Sequence, residues 1–170
     1  LIMPLLINQA YSDGHNFNKT EFHTIIEGTW ELLEWHEKGE VYKAPLVAGR
    51  CTISPNLVHC GIHKRFDSNN KTSWIGWGDY ILENEKYGYR YTEVLFISDK
   101  PDTGVQLNTS SPWEGYRYFE VKINNGDIYM TSENAQQLWN VYKDGTMTYI
   151  DKSSTLSKGK EMKRVWKKIN

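Results

Sequence analysis

The sequence has few of the features that assign a function on sight. No segment approaches the run of about 18 apolar residues that a membrane-spanning helix needs, so we expect a soluble domain with no membrane span. Neither sign of charge is in excess. The 20 Lys and Arg stand against 21 Asp and Glu, a net charge of −1, and nothing in that balance attracts nucleic acid or an anionic membrane. Two cysteines, Cys51 and Cys60, are too few for a disulfide-built scaffold. The chain contains no G-x-S-x-G and no glycine-rich phosphate loop. It also has no internal repeat, low-complexity tract or linker, so its 170 residues read as one domain with one core.

Aromatic side chains, by contrast, are abundant. Seven Trp, eleven Tyr and five Phe make up 14% of the chain, a composition suited to pleated, half-buried surfaces and to flat walls around a ligand. Helical spacing occurs once, in "NKTEFHTIIE" at 18–27. There Asn18 caps a turn containing Glu21, and Phe22, Ile25 and Ile26 form an apolar stripe that ends at Gly28. From Gly28 onward the apolar period is two. Strands are expected at 29–37, 41–45, 50–54, 57–66, 73–82, 87–98, 104–108, 116–124, 127–131, 137–142, 147–151 and 162–169, separated by turns such as "SPN", "NEKYG", "NNGD" and "KDG". Such a meander avoids exposed edges most simply by closing on itself. The expected fold is all-β, a single antiparallel up-and-down barrel of about eight to ten strands over 18–170 with one short N-terminal helix. The basic segment ending the chain reads as a solvated edge strand. Residues 1–17, with the apolar opening "LIMPLLINQA", read as a trimmed signal remnant, an expression scar or an ordered arm, and tilt the expected location toward secreted or periplasmic.

These features resemble the lipocalin superfamily, and among its branches the bacterial lipocalin-like domains. The resemblance rests on the short helix, on Gly28-Thr29-Trp30 opening the first strand, on the meander and on Arg164 in the closing "EMKRVWKKI", and it covers roughly residues 22–169. It implies that Trp30 plugs the bottom of the barrel. It also implies that Arg164 lies across that ring and bonds the helix end, both in structural roles.

Alternation from Trp30 sends Leu32, Glu34 and His36 inward, and Leu33 and Trp35 outward. A hairpin turning at Pro55-Asn56 places Cys51 opposite Cys60, as a disulfide or as two small buried thiols. One face of its second strand carries His59, His63 and Arg65, joined by Arg50 and Thr52. The other carries Val58, Cys60, Ile62 and Phe66. Either face suits the barrel interior. Tyrosines recur on the later long strands, at Tyr87, Tyr89, Tyr91, Tyr116 and Tyr118, which favours a polar, aromatic interior and hence the histidine face inward. His59 and His63 lie about 13 Å apart on an extended strand, too far to share a metal ion.

The expected chemistry is therefore acid–base and independent of metals and cofactors. His59 or His63 serves as base, Tyr89 or Tyr116 as acid, and Arg50 or Arg65 as carboxylate anchor, with Glu34, His36, Trp74, Tyr91 and Tyr118 around the substrate. That set suits a lyase of dehydratase type, eliminating a group next to a carboxylate in a small sugar acid. The alternative is a non-catalytic lipocalin-like protein that binds a small molecule in its barrel. Neither reading implies a nucleic-acid partner, and neither fixes an oligomeric state.

Overall fold

A computed structural model describes residues 17–65, 67–110, 112–154 and 159–169, so the arm expected before residue 17, and Phe66, lie outside the described residues. One helix, α1 (Lys19–Ile26), precedes twelve strands: β1 (Gly28–Glu37), β2 (Glu40–Tyr42), β3 (Val47–Ser54), β4 (Leu57–Lys64), β5 (Lys71–Glu83), β6 (Lys86–Lys100), β7 (Gly104–Ser110), β8 (Arg117–Asn124), β9 (Asp127–Ser132), β10 (Gln137–Val141), β11 (Thr146–Ser154) and β12 (Lys160–Lys168). Ten of them close into one antiparallel barrel, because β12 pairs with β1 as well as with β11. The remaining two are side pieces, β2 beside β1 and β7 beside the outer half of β6. Among the described residues no helix is long and apolar enough to cross a membrane.

The helix forms where the capping signal stands. Asn18 accepts a hydrogen bond from the Glu21 N–H at 3.2 Å, and Phe22 and Ile26 turn into the barrel end and are fully buried. Gly28, with φ of 136°, takes the chain directly from helix into β1. Two residues on, Trp30 is completely buried and its indole N–H donates to the Ile26 carbonyl at 3.0 Å, which ties helix to strand.

The cation expected on that ring is a different residue. Lys168, opposite Trp30 in the β1–β12 register, places its ammonium 5.5 Å from the ring centre and donates to the carbonyls of Ile25 at 3.0 Å and Thr24 at 3.3 Å. Arg164 is four residues farther back on β12, paired with Trp35. The long lysine stem spans from the end of β12 to the last turn of α1, which Arg164 is too far back along the strand to do.

The C-terminal segment is also not an edge. Met162 and Trp166 on β12 are buried inside, and both of its sides are hydrogen-bonded, so the basic residues that alternate with them flank a closing strand.

Two bulges set the phase of the interior. In β1, Leu32 pairs with Trp166 and Glu34 with Val165, leaving Leu33 as the extra residue. Past it the alternation reverses, so Trp35 (3% exposed) and Glu37 (4%) face inward, and Glu34 and His36 face outward, opposite to expectation. In β6, Thr92 is the extra residue between the Trp77–Glu93 and Gly78–Tyr91 pairs, and a side chain at Gly78 would collide with the Arg90 carbonyl. Beyond this bulge β6 runs between β5, which stays paired with β4, and β7, which is exposed along its whole length.

The plug yields a stability prediction. Trp30→Ala should cost about 3–5 kcal/mol in denaturant unfolding, as expected for a large aromatic deleted from a packed site. Lys168→Met should cost about 1 kcal/mol through its lost bonds to the helix carbonyls. An unchanged unfolding midpoint for Lys168→Met would show that the lysine does not hold the helix.

Candidate ligand site in the barrel lumen

Register and alternation define the lumen. A belt of inward side chains runs across neighbouring strands from Trp35 on β1 to Arg164 on β12, Tyr149 on β11, Trp139 on β10 and Met130 on β9. Tyr87, Tyr89 and Tyr91 on β6 form the wall beyond, and Trp74 on β5 meets Tyr91 edge to face at 4.8 Å between ring centres. Small residues make room for these rings. At Gly76, a Cβ would press on both the Tyr91 and the Trp74 rings.

The two halves of the lumen differ. Below the belt, Trp30, Trp166, Met147, Val141 and Ile128 are fully buried in one cluster with Phe22 and Ile26 of α1. Between this floor and the belt a void of about 30 Å³ remains, room for a water molecule or so, bordered by Ile26 and Met147 below and by Tyr89, Tyr91, Met130 and Trp139 of the wall and belt. Cys51 and Cys60, directly opposite each other on β3 and β4, are joined by a disulfide. Toward the mouth, water reaches the inward-facing Trp74, Gln137, Trp139, Asp151 and Arg164, all of which are only partly buried. Trp113, in the connection before β8, covers part of this opening. Its ring sits 5.0 Å from that of Tyr91 and 5.6 Å from that of Tyr89, its backbone N–H donates to the Tyr91 carbonyl at 3.0 Å, and the Arg117 guanidinium lies 3.6 Å from its ring centre.

The charges in the lumen are unevenly matched. Glu37 is buried but well engaged: it accepts from the Trp35 indole at 2.9 Å and from Lys64 at 3.1 Å. Arg164 lies over the rings of Tyr149, at 4.4 Å, and Trp35, at 5.0 Å, yet no described carboxylate forms an ion pair with it and its buried Nε has no hydrogen-bond partner. Burial lowers the guanidinium's pKa from its ordinary value, against the opposing pull of Tyr149, Tyr89, Tyr91 and Asp151. The surrounding phenols do not ionise to balance it, since burial raises the pKa of Tyr89, Tyr91 and Tyr149. The indole N–H groups of Trp139 and Trp166 are likewise buried without acceptors.

Of the residues singled out in the sequence, Tyr89, Tyr91 and Trp74 line the lumen. The opening hairpin has the expected turn, with Ser54 opposite Leu57, but its apolar face looks inward: Val58, Cys60 and Ile62 are buried, together with Cys51 and Ile53. His59 and His63 therefore lie on the outer face. His59 stacks on Trp77 at 5.3 Å, and His63 shares a 2.7 Å hydrogen bond with Ser73. Arg50 pairs with Glu31 outside at 3.5 Å, and Arg65 is exposed at the end of β4. Outside the β1 bulge, Glu34 accepts from Lys43 and His36, each at 2.8 Å, and those bonds, Lys43's first, hold its carboxyl below the ordinary value. Tyr118 is exposed over Gly88. Tyr116 donates to Asp79 at 2.5 Å on the outer wall, where Arg90 also grips Asp79 through two nitrogens. Trp35, Trp113, Trp139 and Tyr149 were not singled out. Trp139 and Tyr149 sit on strands that were expected, and their alternation with Val141 and Met147 is the signal that would have found them.

Among known protein families, characterised proteins and solved structures, none matches this chain.

Two outcomes follow from these placements. The His59→Gln/His63→Gln double variant should keep the barrel and shift stability by less than about 0.5 kcal/mol per site, because both rings are on the outer surface. A collapse of the near-UV dichroism would place them in the core. Burial alone would raise the Asp79 pKa, but the bonds from Tyr116 and Arg90 outweigh it and hold it low. Its contribution is thus complete above the unfolded carboxyl value of about 3.9 and fades as pH falls through the lower folded value. Asp79→Asn should cost about 1 kcal/mol at pH 7 and progressively less below about pH 4, measured by urea unfolding across that range.

Proposed function

We propose that this chain is a lipocalin-like binding protein that takes up a small, flat molecule in the mouth half of its barrel. The observation that carries the reading is the belt itself. Arg164 and Trp139 point inward from the middle of long strands, have aromatic neighbours on both sides, and are still reached by water from one end. A barrel whose only task was to be stable would be served better by aliphatic packing at those positions. The affiliation with lipocalin-like domains is supported by the helix-capped Trp30 plug, by a cation that bridges its ring and the helix carbonyls, and by closure through the last strand.

Binding is favoured over acid–base elimination by where the imidazoles lie. His36, His59 and His63 are on the outside, and His23 is on α1 beside Tyr80 and Glu27, so no described histidine faces the belt. The lumen tyrosines, with pKa values raised by burial, are weak proton donors.

The test uses N-phenylnaphthylamine, an uncharged probe whose emission rises in an apolar, aromatic site. The purified chain should enhance its emission and shift it to the blue, and Gln137→Trp, which narrows the mouth, should abolish the effect while far-UV dichroism stays unchanged. Trp113→Ala should speed probe entry by uncovering the opening. Equal enhancement by the wild type and by Gln137→Trp would place the probe on the outer surface and end this reading.

A further inference from the structure

Among the described residues, the lumen holds buried donors with no acceptor bonded to them and a guanidinium with no ion-pair partner. Arg164 Nε, Trp139 Nε1 and Trp166 Nε1 are three buried N–H groups without an acceptor. Orphaned buried donors are rare because each forfeits its bond to water. An uncompensated buried guanidinium is costlier still. Two of the three flank a single ring: the Arg164 guanidinium lies 4.4 Å from the Tyr149 ring centre, and the Trp139 ring centre lies 4.4 Å from it as well. Asp151, the nearest acidic influence on Arg164, forms no ion pair with it, and Glu37 is already taken by Trp35 and Lys64. Its direct neighbours are aromatic faces, and Asp151 acts on it only at a distance.

We infer that the missing counter-ion is supplied by the guest: the lumen selects a flat aromatic carboxylic acid, whose carboxylate meets Arg164 and whose ring lies along the Tyr149–Trp139 wall. This rests on the proposed reading of the lumen as a binding site and adds the ligand class to it. A carboxylate supplies both the charge and the in-plane acceptors that a guanidinium's N–H groups require. The flat body suits the wall because stacking on Tyr and Trp costs little ordering of either partner. Charge neutralisation at Arg164 then occurs only when the site is filled, so an uncharged compound of the same shape binds without it.

The experiment compares naphthoate with naphthamide on the full chain and on Arg164→Met, by competition against N-phenylnaphthylamine and by calorimetry. In the wild type the acid should bind at least about tenfold more tightly than the amide. Arg164→Met should erase that preference by weakening the acid alone. A second measurement needs no ligand. If the guanidinium waits for a counter-ion, the unliganded Arg164→Met protein should have an unfolding midpoint equal to or above that of the wild type, whereas a plug held together by cation–π contacts would be destabilised. Equal affinity for acid and amide in the wild type overturns the inference and leaves the binding reading intact. Failure of both compounds to compete overturns the inference and counts against the reading beneath it. A marked drop in the midpoint of unliganded Arg164→Met assigns Arg164 to packing and overturns the inference on its own.

Discussion

Everything in this molecule depends on β12 finding β1. The two strands are the chain's ends within the barrel, separated by all the others, and their pairing turns an open antiparallel meander into a closed wall with no barrel edge left unpaired. The contact is stabilised by side chains more than by strand ladders alone. Trp30 and Trp166, both fully buried, lie on adjacent strands of the seam, and Lys168 clamps the helix across the floor where those strands meet. Closure is long-range in sequence, so its entropic cost is met late, by the burial of these large rings.

The seam also explains why the lumen has two characters. Near the floor, where β1, β12 and α1 converge, aliphatic and indole side chains form one fully buried cluster. Farther up, the same strands present Trp35, Tyr149 and the partly exposed Arg164, whose guanidinium lies over both rings. The disulfide between Cys51 and Cys60 lies beside the seam, on the β3–β4 hairpin next to β1, and links two strands already joined by a tight turn, so it reinforces one hairpin and not the closure.

The architecture was largely legible in the amino-acid order, because period-two alternation and turn residues such as Pro55-Asn56 and Asn125-Gly126 act locally. The cap at Asn18 and the plug at Trp30 were legible for the same reason. The site was not, on two counts. In the 53–66 hairpin both faces carry plausible interior residues, and choosing between them needs the partners across the barrel, whose inward side chains already supply the polar aromatics. In β1 a single extra residue, Leu33, reverses the phase, and nothing in "ELLEWHE" distinguishes a bulged strand from a regular one. The third miss, the exchange of Arg164 and Lys168, is a matter of reach: two cations on one face of β12 differ only in which end of the barrel they overlook.

That Leu33 bulge has a consequence for how such a barrel diversifies. Side chains before it and after it obey opposite parities, so the floor is insulated from any rewriting of the rim. Excising Leu33 would restore regular alternation and leave Trp30, Leu32, Trp35 and Glu37 all seated inside, whereas straightening the strand with Leu33 retained would rotate Trp35 and Glu37 into solvent and bring Glu34 and His36 to the opening. Whether this one residue bulges thus separates an aromatic, cation-bearing entrance from one carrying a carboxylate and an imidazole.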